Sequence, residues 1–136
     1  MARDRFHNVV RIALEKEGWH ITDDPYEINV DDVNFEIDLA AEQLLAAERE
    51  NRKIAVEIKS FTSSSNVSDF HTALGQFLNY RDALAKIEPE RQLYLAVRHS
   101  IYETFFQRRF ILASVERYQL QLLTYDVQKE AIVQWV

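Results

Sequence analysis

The stretch Lys53 to Phe61, Lys-Ile-Ala-Val-Glu-Ile-Lys-Ser-Phe, constrains this chain more than any other. Side chains alternate across a β-strand. An extended conformation therefore puts Ile54, Val56 and Ile58 on one face and Ala55, Glu57 and Lys59 on the other. The first face is an apolar stripe that requires a core. The second presents a carboxylate and an ammonium one repeat apart, about 6 to 7 Å along the strand. Asp38, nineteen positions before Glu57, lies in another alternating run, with Phe35, Ile37 and Leu39 one way and Asn34, Glu36 and Asp38 the other. If both segments join one sheet with their apolar faces on the same side, Asp38 stands beside Glu57 and Lys59.

That grouping has the chemistry of a divalent-metal site. Mg²⁺, or Mn²⁺ in its place, takes oxygen ligands and keeps several waters, so two carboxylates and a backbone carbonyl suffice. The chemistry supplied is polarisation of a phosphodiester and activation of a bound water. A neighbouring ammonium orients that water or offsets charge on a phosphorane-like transition state. The same residues also fit a plainer description, the solvated side of an amphipathic strand, because Glu-x-Lys is a common tripeptide.

A chain of 136 residues, 47% apolar, suits one domain spanning 1–136 with a substantial core. It has no cysteine, which removes disulfides and thiolate metal sites and fits a reducing cytoplasm. No signal-peptide pattern and no membrane-length apolar run is evident, so a cytoplasmic protein without a membrane partner is expected. The net charge of −6 does not favour non-specific nucleic-acid binding, which rests on neutralising phosphates. Any contact with DNA must use a local basic surface, a bound metal or a partner.

In chain order, Asp4 to Glu17 reads as a helix with Phe6, Val9, Val10, Ala13 and Leu14 on one face, capped by Asp4 and ended by Gly18. Trp19 to Thr22 reads as a strand and Asp23-Asp24-Pro25 as a turn. Tyr26 to Val30 and Val33 to Leu39 follow as strands around Asp31-Asp32. Ala40 to Asn51 has helix-favouring composition but lies between strand patterns. We expect an extended segment from about Leu44 to Arg49, with Glu50-Asn51-Arg52 turning into the central strand. Ser68 or Asn66 is placed to cap a long helix reaching about Ile87, with Phe70, Leu74, Phe77, Leu78 and Leu84 as its core stripe. Gln92 to Val97 reads as a buried strand, Ile101 to Tyr118 as helix kinked or split near Arg108, and Leu120 to Tyr125 and Ala131 to Val136 as closing strands. The sum is a mixed α/β domain.

The long helix carries a second constellation. Gln76 and Tyr80 are four apart and share one side of it, at the border of the apolar stripe, where they can face a site or simply pack and solvate. His71 borders the other side and reads as a packed histidine. No His-Glu-x-x-His spacing suggests zinc.

Asp38, Glu57-x-Lys59 and Gln76-x-x-x-Tyr80, behind a helix ending in Gly18-Trp19, resemble the PD-(D/E)XK nuclease superfamily. Nearly the whole chain resembles the XisH family, the fdxN element excision controlling factors of cyanobacteria. The resemblance rests on Ala2-Arg3-Asp4 with Phe6-His7, Gly18-Trp19, Asp24-Pro25, Val56 to Phe61, Phe70 to Phe77, Tyr102-Glu103-Thr104-Phe105-Phe106 and Val133-Gln134-Trp135. It implies a restriction-endonuclease-like fold, a mixed β-sheet flanked by helices. It also implies a role in site-specific DNA excision, alongside recombinase machinery and a small XisI-type protein. By motif position, Asp38 and Glu57 bind metal, Lys59 is catalytic, and Gln76 and Tyr80 support the site. Many superfamily members place a glutamate on the first helix; here its inner border offers His7.

Two functions follow as expectations. One is a metal-dependent DNA endonuclease or nickase within the excision machinery, favoured by the intact Asp38, Glu57 and Lys59. The other is a nuclease-derived binding factor acting through DNA or a partner protein, favoured by the acidic charge; in that case Tyr102, Phe105 and Phe106 are candidate partner contacts, with packed core the role expected of at least one of them.

Overall fold

The computed structural model describes residues 5–45 and 50–136. The Ile54/Val56/Ile58 stripe does form a strand, β5 (Glu50–Ile58), and it lies in the interior of a six-stranded sheet. Ahead of it come helix α1 (His7–Lys16) and strands β1 (His20–Asp23), β2 (Tyr26–Val30), β3 (Val33–Ile37) and β4 (Leu39–Leu45). After it come α2 (Asn66–Ile87), β6 (Gln92–Arg98), α3 (His99–Glu103), α4 (Arg109–Arg117), β7 (Leu122–Asp126) and β8 (Ala131–Trp135). The sheet order is β1-β4-β5-β6-β7-β8, and β2 and β3 form a separate hairpin. β5, β6 and β7 are mutually parallel, and the other neighbours antiparallel. This is the mixed α/β class expected, a mixed sheet flanked by helices.

Two apolar layers sandwich the sheet. On one side, Val10 and Leu14 of α1 pack with Trp19, Leu39, Ile54, Val56 and Ile58. On the other, Phe70, Ala73 and Phe77 of α2 pack with Ile28, Ile37, Ala55, Leu95 and Val97. β5 is therefore covered on both faces, as strands with parallel neighbours usually are. Ala55 is fully buried and Glu57 is only 9% exposed, which rules out a solvated strand face for Glu57.

Several local expectations need correction. Val33 to Leu39 is not one strand. A bend at Asp38 divides it, so Ile37 enters the α2 layer and Leu39 the α1 layer, an inversion that strict alternation does not allow. β4 already begins at Leu39 and pairs antiparallel with β5, Leu39 opposite Val56 and Leu45 opposite Glu50. The start of the expected Leu44–Arg49 extended segment lies in β4, and 46–49 fall outside the described residues. Glu50 to Arg52 belongs to β5 and is not a turn, because its backbone completes the ladder with Gln43, Leu44 and Leu45.

Helix ends follow local chemistry. Gly18, at φ +87°, ends the α1 segment, with Trp19 N–H donating to the Leu14 carbonyl at 3.1 Å. The helix starts at His7, later than expected, and the Asp4 cap lies outside the described residues. The cap of α2 is Ser65, neither Asn66 nor Ser68: its Oγ accepts from the Ser68 N–H at 3.1 Å. His71 is exposed on α2, not packed. The helical stretch after β6 splits as expected, with a 3₁₀ turn at Phe105–Gln107 and extended backbone at Arg108 before α4.

Ile58 is 3% exposed, and Ile58→Ala should cost about 2 to 5 kcal/mol through lost transfer energy and a residual cavity. Lys59, half-buried just past the strand, should tolerate Lys59→Ala with a loss below about 1 kcal/mol. Urea midpoints of the two variants check this, and equal losses would assign Lys59 to the fold.

Candidate metal and catalytic site

The bend at Asp38 and the register of β4 against β5 bring two carboxyls together at one end of the strand pair. Asp38 immediately precedes Leu39, whose partner is Val56, so it falls opposite Glu57. The contacts are reciprocal. The Ile58 N–H donates to Asp38 Oδ2 at 2.8 Å, and the Asp38 N–H donates to Glu57 Oε1 at 3.3 Å. Each carboxyl thus accepts from the backbone of the other's strand and is aimed at the other.

Electrostatics follow from that closeness. Burial pushes the Glu57 carboxyl up from 4.5 to about 9, and the charge and hydrogen bond of Asp38 add to the rise; Lys59 partly offsets it. Two carboxylates this close resist ionising together, so the pair holds a proton above the ordinary carboxylate range. Lys59, one residue past β5, is close enough for its charge to be felt by Glu57, so Asp38, Glu57 and Lys59 form one electrostatic group.

Tyr80 of α2 joins them. Its hydroxyl is raised to about 12, first by burial and then by the charges of Glu57, Asp38 and Glu36. The ring is held edge-on by Phe35 of β3, centroids 6.0 Å apart. Gln76 stands half-buried one turn earlier on α2. His7 makes a different contact: its Nε2 lies 2.7 Å from Asp24 Oδ1, and Arg11 Nη1 donates to Asp24 Oδ2 at 2.5 Å. His7 braces the β1–β2 turn and makes no hydrogen bond to Asp38 or Glu57.

Two participants were not apparent from the sequence. Glu36 is a third acid close enough to act on Tyr80, a contact that depends on how α2 lies over the β2–β3 hairpin. Arg98, the last residue of β6, donates through Nε and Nη2 to the Ser60 carbonyl at 3.1 and 2.7 Å, and through Nη2 to Phe61 O at 3.2 Å. Phe61 has φ +54°, a region costly for a bulky side chain. Arg98 fixes the segment directly after Lys59. No local sequence signal could have shown this, since the bond spans two strands of the sheet.

The chain matches the family model of the XisH protein over residues 1–133. It belongs to the XisH family. A crystal structure of an XisH family protein from Nostoc punctiforme PCC 73102 is 53% identical, with TM-score 0.90, covering 98% of this chain and 99% of that one. A crystal structure of an fdxN element excision controlling factor protein from Anabaena variabilis is also 53% identical, with TM-score 0.89 and the same coverage. No curated protein matches significantly. In this XisH-family chain, Phe105 and Phe106 are 5% and 0% exposed and pack edge-on or tilted against Phe61 and Phe70. They are core, the role that the sequence already favoured for at least one of the three candidate contacts. Tyr102 is half-buried, stacked between His99 and Phe106. No described helix is long and apolar enough to cross a membrane.

The raised Glu57 carboxyl has a measurable consequence. Folded protein holds a proton that the unfolded chain has released above the ordinary carboxylate range, so folding stability must fall as pH rises. In chelator, the melting temperature should decline between about pH 5 and about pH 9, following the span from ordinary to raised Glu57. Glu57→Gln should flatten that decline; a profile parallel to the parent's would assign the dependence to another group.

Proposed function

We propose that this XisH-family protein acts in excision of a DNA element as a metal-dependent nuclease-like factor. In this role Asp38 and Glu57 hold Mg²⁺ or Mn²⁺ and Lys59 serves the reaction. The reading is carried by the reciprocal Asp38–Glu57 clamp, in which buried Glu57 and half-buried Asp38 are aimed at each other at the end of a strand pair. The donor set suits a hard cation: both groups are oxygen ligands, and an ion between them would let Glu57 ionise. Among the described residues no group of three or more His, Cys, Asp or Glu gathers as a cage. The remaining ligands would therefore be backbone oxygen, water or substrate phosphate, as Mg²⁺ commonly accepts. The chemistry such an ion supplies is Lewis-acid polarisation of a phosphodiester and acidification of a bound water.

The protein's own contributions are positional. The backbone N–H of Ile58 holds Asp38 by its Oδ2 and so fixes this carboxylate beside Glu57. Lys59 brings a positive charge to the group, where it offsets charge developing on a pentavalent phosphorus. Tyr80 stands within the electrostatic reach of these carboxyls, and Gln76 lies one turn earlier on the same helix side. XisI-type protein and recombinase partners belong to this proposal. A second reading, a nuclease-derived binding module that does not cut, is favoured by the net charge of −6, which opposes an extended hold on DNA without a partner.

Three measurements test this. Calorimetry with Mg²⁺ and Mn²⁺ should show binding that Glu57→Ala or Asp38→Ala abolishes. With metal, and with its partner if one is required, the protein should nick or cut DNA, and Glu57→Ala or Lys59→Ala should lower the rate by at least about 100-fold. Excision in cells that survives both substitutions would falsify catalysis and leave the binding module.

A further inference from the structure

Phe110 is the most exposed large apolar side chain among the described residues, at 75%. It is the second residue of α4, and its neighbour Ile111 is buried in the α2-side layer. Between the start of α2 and the start of α4 lies a cavity of about 410 Å³. Phe70, Phe105 and Ile111 form its apolar base, all under 7% exposed. Val67, 45% exposed, and Phe110 stand as its walls. An open apolar concavity with an aromatic wall is not what a free surface usually keeps.

Charge says what would cover it. Arg108 and Arg109 line the same cavity and are exposed. Neither guanidinium has an ion pair or hydrogen bond to a described residue, and Arg108 caps α4 without using its side chain. Two unpaired cations beside an apolar hole, in a chain of net charge −6, form a local exception to the surface. They complement anions placed next to an apolar anchor.

We infer that this cavity docks a segment of a partner protein bearing one large apolar side chain flanked by acidic residues. The apolar side chain would fill the space over Phe70, Phe105 and Ile111 and cover Phe110. Its flanking carboxylates would meet Arg108 and Arg109, whose planar forks pair with carboxylate in two-point fashion. A nucleic-acid base is the poorer occupant. A base seated in a protein pocket is read by hydrogen bonds to its edge, and apart from the two arginines only His71 offers a polar side chain there. The surface uses none of Asp38, Glu57, Lys59 or Tyr80, so it stands or falls independently of the nuclease-like site.

Fluorescence anisotropy on the full chain tests this with labelled synthetic peptides carrying phenylalanine, tryptophan or leucine between pairs of glutamates. Binding is expected to weaken about tenfold or more when the apolar residue is replaced by alanine or Phe110 is changed to Ala. The double variant Arg108→Glu, Arg109→Glu should lose the acidic peptide and gain the same peptide flanked by lysines, and added salt should weaken the parent complex. All substituted positions are exposed, so melting curves should coincide with the parent's. The inference is overturned by no binding from any peptide up to about 1 mM, or by binding indifferent to these variants. It is equally overturned if a labelled single-stranded or duplex oligonucleotide binds instead and loses affinity in the double variant, or if Phe110→Glu abolishes self-association and so assigns the cavity to a second copy.

Discussion

A strand covered on both faces gives a charge nowhere to be solvated, and Glu57 is placed on such a strand. α1 closes one side of β5 and α2 the other, so in place of bulk water the Glu57 carboxyl has the second carboxyl of Asp38 beside it and feels the charge of Lys59. Much of the site's behaviour follows from that enclosure. Burial raises Glu57 and Tyr80 alike, and it makes the backbone bonds that aim Asp38 and Glu57 count for more than they would at a surface. The fold creates the unfavourable acid pair, whose members repel each other once both ionise.

The bend at Asp38 is the second structural decision. By reversing the side to which the chain sends its apolar residues, it lets β3 stay with the hairpin over α2 while β4 joins the main sheet beside β5. Asp38 is the pivot of that change, and its carboxyl is tied to Ile58 N–H across the strand pair. At the other end of the motif, Arg98 holds Ser60 and Phe61 by their carbonyls. The short segment from Glu57 to Phe61 is thus anchored from β4 before it and from β6 after it. Such anchoring keeps Lys59 near the acids although it lies beyond the last strand residue, and it supports the left-handed backbone of Phe61.

The surface divides in a comparable way. The acidic total hides a small cationic patch around Arg108 and Arg109, beside an apolar cavity at the opening of α4. Phe105 and Phe106, aromatic and close in sequence to that patch, are core, while Phe110 is out. Their difference is one of register: the 3₁₀ turn and the extended Arg108 rotate the chain between them.

The sequence by itself determined the strand carrying Glu57 and Lys59, the long α2 helix with Gln76 and Tyr80, the split at Arg108 and the mixed α/β class. Each is written in local periodicity or in a local breaker, which act within a few residues. It also brought Asp38 and Glu57 into one proposed group, because both stood on the polar side of alternating runs. Only the tertiary structure decided that this polar side is interior, since whether a face meets water depends on what α2 and the β2–β3 hairpin place over it. The inversion at Asp38, the assignment of His7 to Asp24, the burial of Phe105 and Phe106 and the brace from Arg98 were likewise settled by contacts between residues far apart in the chain. Alternation tells which side chains share a face; long-range packing alone tells what that face touches.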